Sequence, residues 1–256
     1  MKSKYLNIRR LTIIGILGAI TAVLGMTPIG FIPIGPTRAT IMHIPVIIGA
    51  IIEGPVVGAF VGLIFGLFSI FQAVTAPTPV SFVFINPLVS VLPRILIGIL
   101  SYYAYRGLHT IGNKGIKGFL YVLWAGIIIY LSYGIYSSIG NGDLNLGIIN
   151  VILLIVTLFI AYFTMTRLKS KALDIIVATI VGTLTNTLGV LTMIYIFYAE
   201  RFVSALGQNA EFARNIIYGI GLTNGIPEVI IAIIIVTSVV SGLKEGRKVN
   251  WGEACY

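Results

Sequence analysis

The chain has 256 residues, 57% of them hydrophobic and 10% charged, with 17 Lys and Arg against 8 Asp and Glu for a formal net charge of +9. Soluble globular domains carry about a quarter charged residues, so this composition, with a mean hydropathy of +1.03, excludes a soluble fold and points to a lipid bilayer. The basic balance does not point to nucleic acid, because the Lys and Arg sit in short segments between apolar runs, and the lone Cys255 excludes an internal disulfide and a Cys-based metal site.

Eight helices are expected, over about 11–26, 40–52, 55–72, 87–106, 117–139, 147–166, 172–198 and 214–241, which makes the chain an all-α polytopic membrane helix bundle. Lys2, Lys4, Arg9 and Arg10 precede the first run, which reads as a membrane helix and not as a cleaved leader. Gly15 and Ala19, and likewise Gly18 and Ala22, are four apart on this helix. Such spacing makes a flat groove for another helix. Periodicity alone favours packing within the chain; docking of a partner subunit is the other use.

Thr27–Arg38 reads as an irregular Pro/Gly-rich loop, a candidate lid carrying Arg38. In membranes such backbone survives where protein or a water-filled cavity shields it, which is how solute sites are built. Helix two follows, with His43 in its first turn, and the hinge Glu53-Gly54-Pro55 joins it to helix three. Gln72–Asn86 is a second loop, a lid or a plain turn, and helix four then carries Arg94 about two turns in. Helices five and six contain no Pro, turn at Asn141-Gly142-Asp143, and read as a hairpin over 117–166 set into the bundle.

Orientation follows from the basic residues. With the N-terminus inside, thirteen of the 17 Lys and Arg are cytoplasmic; Arg38, Arg201 and Arg214 fall outside and Arg94 lies within a helix. Both termini are therefore expected in the cytoplasm.

Charges at membrane depth are costly and signal function. Arg94 falls in the outer half, and Glu228, midway along helix eight, sits a little deeper. Arg94 suits a carboxylate, which its planar fork pairs bidentately; an internal Arg94–Glu228 ion pair fits equally well. His43 reads first as a hydrogen-bonded core residue. Thr183, Thr185, Asn186 and Thr187 on helix seven, Thr223 and Asn224 on helix eight, and Asn86 add donors and acceptors suited to hydroxyls and amides. Pairing of Asn186 with Asn224 is the purely structural alternative. The sequence has no phosphate-binding glycine loop, no HExxH and no paired intramembrane Asp, so nucleotide binding and membrane enzymes are disfavoured and neither metal nor cofactor is expected.

Together, the small-residue helix, the Pro-rich loop, ATIMHIPVIIGAIIEGP followed by VVGAFVGLIFGLFSIF, SFVFINPLVSVLPRILIG, GTLTNTLGVL and TNGIPEVIIA resemble the S component of energy-coupling factor (ECF) vitamin transporters, over residues 8–106 and 172–243 and nearest to the pantothenate type. The resemblance implies a six-helix core, to which the 117–166 hairpin is an addition. It implies a vitamin captured from outside under the first loop, with Arg94 on the carboxylate and Asn86, Asn186, Thr187, Asn224, Glu228, Arg38 and His43 around it. It also implies a partner module of one transmembrane coupling subunit and two ATPases, docked on Gly15, Gly18, Ala19 and Ala22. The competing expectations are a pyridine- or pyrimidine-type vitamin stacked on Phe82, Phe84 or Tyr195, a stand-alone secondary transporter using Glu228, and a structural or assembly membrane protein.

Overall fold

The structure is a computed structural model, and it describes residues 7–27, 30–34, 37–140, 144–166 and 170–253. Its helices in chain order are α1 (Ile8–Met26), α2 (Ile44–Glu53), α3 (Pro55–Thr75), α4 (Pro87–Ser90), α5 (Leu92–Gly140), α6 (Leu144–Thr166), α7 (Ser170–Ala205) and α8 (Ala213–Glu253). Among the described residues, six stretches are long and apolar enough to cross a membrane: Ile8–Met26, Pro55–Thr75, Pro87–Gly107, Leu120–Gly140, Ala172–Ala205 and Ala210–Lys244. The polytopic helical membrane bundle is therefore the fold, built on apolar runs of about 20 residues.

The first loop departs from the all-helical expectation. Phe31–Ile34 (β1) pairs antiparallel with Thr37–Thr40 (β2), Phe31 opposite Thr40 and Ile34 opposite Thr37. The strands are two residues apart in sequence, the spacing of a tight hairpin. Helix two consequently begins at Ile44, and His43 lies just before its first turn, without a side-chain capping bond.

At the other end of α2, the expected hinge is present. Gly54 takes φ +106°, a conformation open to glycine, and Pro55 starts α3. Arg9 on α1 pairs with Glu53 at 3.0 Å. The Lys244 ammonium on α8 hydrogen-bonds the Tyr105 hydroxyl and lies 4.2 Å from that ring's centroid. These contacts gather basic residues of α1 and α8 on the face that carries the hinge.

Helix four is not one continuous helix. It breaks at Val91 into α4 and α5, because Pro93 has no N–H to give the carbonyl four residues back. No proline follows until Pro227, and the backbone stays helical from Leu92 to Gly140, through the linker expected between helices four and five. A straight helix of this length would reach roughly 74 Å. The element cannot be straight, since both its ends meet α7. Pro93 and Ser101 face Gly189 and Gly182, while Leu120, Trp124, Ile127 and Leu131 share a buried cluster with Leu173, Ile176, Val177 and Ile180. Both apolar stretches of α5 thus pack with α7, and the second also packs against α6, with Gly134 facing Asn150.

A close crossing joins α3 and α5. Gly58, Gly62 and Gly66, spaced four apart, face Gly98, the Arg94 carbonyl and Val91. The missing side chains let the two backbones touch, and this sets the position of Arg94. On α1 the small residues divide. Gly18 is buried against Ile64 of α3, Gly15 and Ala19 are exposed, and Ala22 is half-buried.

A Cβ at position 62 would overlap the Arg94 carbonyl, whereas one at position 15 meets nothing within 4 Å. Gly62→Ala is expected to lower stability by about 1–3 kcal/mol and Gly15→Ala to leave it unchanged, as read by thermal unfolding of the detergent-solubilised protein.

Candidate functional site

The site begins with the proline that breaks helix four. Pro93 leaves the Val89 carbonyl without its helical donor. The next residue supplies one, as Arg94 Nη1 donates to Val89 O at 2.6 Å. Arg94 is only 5% exposed. Its guanidinium carbon lies 5.3 Å from the Phe65 ring centroid and 5.7 Å from that of Phe84. Phe84 comes from a turn of 3-10 helix over Ser81–Ile85, inside what the sequence offered as a lid or plain turn. Its carbonyl accepts the Ser90 hydroxyl at 2.5 Å.

Glu228 lies one residue past Pro227 in α8 and is 4% exposed. Its Oε1 accepts the Thr40 backbone N–H and its Oε2 accepts the Thr187 hydroxyl, both at 2.7 Å. Thr187 lies one turn from Thr183, whose hydroxyl meets His43 Nε2 at 3.1 Å. A polar chain therefore runs from the β-hairpin through α8 and α7 to the start of α2. It holds the hairpin on the bundle by a charge-assisted bond to a buried carboxylate.

Arg94 and Glu228 form no ion pair within 4.0 Å. They interact electrostatically at longer range. The direct pair weighed from sequence is thus absent, because each charge has other partners: a freed carbonyl and two rings for the cation, an amide and a hydroxyl for the anion. The structural pairing weighed for Asn186 is not made either; Asn186 is buried and its Oδ1 has no partner.

The other expected residues divide as follows. Thr187 and His43 join the polar chain. Asn224 is buried on α8, one turn before Glu228. Asn86 is occupied structurally: its Oδ1 accepts the Leu88 N–H at the start of α4, and its amide donates to the Tyr198 hydroxyl at 3.2 Å. Arg38 belongs to β2, but its side chain lies outside the described residues. Sequence reading missed Phe65 and the Thr40 amide. An aromatic one helical turn from the glycine stripe was a usable signal for Phe65; nothing in the sequence marks a backbone amide.

These features define a multi-pass helical membrane protein whose interior presents a buried cation, a buried carboxylate and buried amide side chains, the makings of a membrane solute-binding protein. A family model for the substrate-specific component of ECF transporters matches residues 9–122. A Lactococcus lactis subsp. cremoris protein named pantothenic acid transporter PanT is 29% identical over 227 residues, covering 83% of this chain and 81% of that protein. A Leuconostoc mesenteroides subsp. mesenteroides protein named pantothenate transporter PanT is 36% identical over 107 residues, covering 41% of this chain and 52% of that protein. The chain is thus similar to ECF transporter substrate-specific components, the family model matching somewhat less than half of it.

Removing the carboxylate should free the hairpin. Glu228→Leu is expected to raise hydrogen–deuterium exchange of the Thr40 amide at least about tenfold, the loss of one hydrogen bond to a charged group. Unchanged exchange would show that the bond does not hold the hairpin.

Proposed function

We propose that the captured solute is pantothenate, taken from outside the cell and passed inward when the chain docks on an ATP-driven ECF module. One observation carries the reading: a guanidinium buried at membrane depth has, among the described residues, no anionic partner within 4.0 Å and an unbonded Nε. A charge in that setting is expensive unless a ligand compensates it. Pantothenate offers a carboxylate, an amide and two hydroxyls. Arg94 takes the carboxylate; Asn186, Asn224 and Thr187 take the amide and hydroxyls. The names of the two relatives support the same vitamin.

Glu228, His43 and Arg38 then shape the pocket and its lid. Both Glu228 oxygens are already engaged, which suits a positioning role better than an ion-coupling one. Asn86 supports the outer rim. The chain itself makes and breaks no bonds, ATP hydrolysis belonging to the partner subunits. Both termini face the cytoplasm, with Arg9, Glu53 and Lys244 on the inner surface. Residues 8–106 and 172–243 form the binding core, and 117–166 is a hairpin added at its edge. Of the four small residues on α1, Gly15 and Ala19, exposed, and Ala22, half-exposed, offer the docking face; Gly18 backs it from within.

The reading is tested by calorimetric titration of purified protein with pantothenate. Wild type should bind saturably, and Arg94→Ala should lose at least about a hundredfold in affinity, two charge-assisted hydrogen bonds being removed. An alanine variant within about threefold of wild type would overturn it.

A further inference from the structure

The Arg94 guanidinium is restrained from several directions. Two phenyl rings, Phe65 and Phe84, pack over it. Nη1 is taken by the Val89 carbonyl, and among the described residues that is the group's only hydrogen bond. Nε is buried and bonded to nothing. What remains unused is the edge of the plane that Nε shares with Nη2. That edge presents two parallel N–H groups, the arrangement that matches the two oxygens of one carboxylate.

Phe84 differs from Phe65 in where it comes from. Phe65 belongs to the membrane helix α3, whereas Phe84 is brought in by a short turn between α3 and α4 and tethered through the Ser90 hydroxyl. Its ring therefore reaches the cation from the loop side, with a backbone restrained for that placement.

We propose that Phe84 is a positioning residue for solute recognition: together with Phe65 and the Val89 carbonyl it fixes the Arg94 plane so that the Nε–Nη2 edge meets the solute side-on. This makes the site selective for an ionised carboxylate over the neutral alcohol of the same length. The inference rests on the reading that Arg94 meets the solute carboxylate. Phe84 acts through the orientation of Arg94 and contributes nothing specific to the hydroxyl and amide end.

The test compares pantothenate with pantothenol, in which a hydroxymethyl group replaces the carboxylate, by calorimetric titration of wild type, Phe84→Leu and Phe84→Tyr. Wild type should prefer pantothenate. Phe84→Leu should weaken pantothenate about tenfold, within the range of a desolvated cation–π contact, and leave pantothenol unchanged. Phe84→Tyr should restore the preference. Equal losses for both compounds in Phe84→Leu would make Phe84 a simple cover and overturn the proposal, as would no loss for either. A second measurement separates this from the identity of the vitamin. In arginine-15N-labelled protein, the Arg94 Nε–H resonance, identified by its absence in Arg94→Lys, should shift with millimolar propionate in wild type and much less in Phe84→Leu. If pantothenate does not bind but propionate gives this pattern, the vitamin assignment falls and the positioning role stands. If propionate shifts the resonance equally in both proteins, or in neither, the positioning role falls.

Discussion

A guanidinium inside a membrane bundle constrains everything packed around it. It cannot shed its charge at any ordinary pH, and hydrocarbon gives it no hydrogen bonds. The chain meets this constraint with local means. Pro93 frees a carbonyl that the next residue uses, and Phe65 and Phe84 lend their rings. These contacts hold the cation but do not neutralise it. In the proposed function an anionic solute fills the remaining deficit, and its binding energy then comes from a charge already desolvated and already oriented, the ordering having been done by folding.

The glycine stripe of α3 makes this placement possible. Gly62 faces the carbonyl of Arg94 itself, and Gly58 and Gly66 flank it. In a bilayer, helices gain little from apolar burial against one another, so close backbone approach and van der Waals packing carry the association. A seam without side chains therefore fixes the depth and rotation of α5 at Arg94. Glu228 does the corresponding work on the other side, tying β2 to α7 through its two oxygens.

Much of this was legible in the sequence. The membrane class, the eight helical stretches, the hinge at Gly54 and the burial of Arg94, Glu228, Asn186, Thr187 and Asn224 followed from apolar periodicity, proline chemistry and the cost of intramembrane charge. The β-hairpin was not read, because Pro33, Gly35 and Pro36 marked a loop and concealed that FIPI and TRAT stand two residues apart. The small-residue signal was sought on α1, where it divides between internal packing and an exposed face, and not on α3, where three glycines at the same four-residue spacing were equally visible. The absence of an Arg94–Glu228 pair could not be read at all. It depends on a freed carbonyl, a loop phenylalanine and a backbone amide from a distant strand, three groups that only the folded chain brings together. The match of residues 9–122 to the substrate-specific component of ECF transporters agrees with the family resemblance read from the helix motifs.

The most direct measurement is mass spectrometry of the small molecules released by acid from protein purified without added ligand, wild type beside Arg94→Ala. The account predicts that wild type releases pantothenate in stoichiometric amount and that the variant releases none. Release of an aromatic vitamin lacking a carboxylate from wild type, or equal release of pantothenate from both proteins, would contradict it.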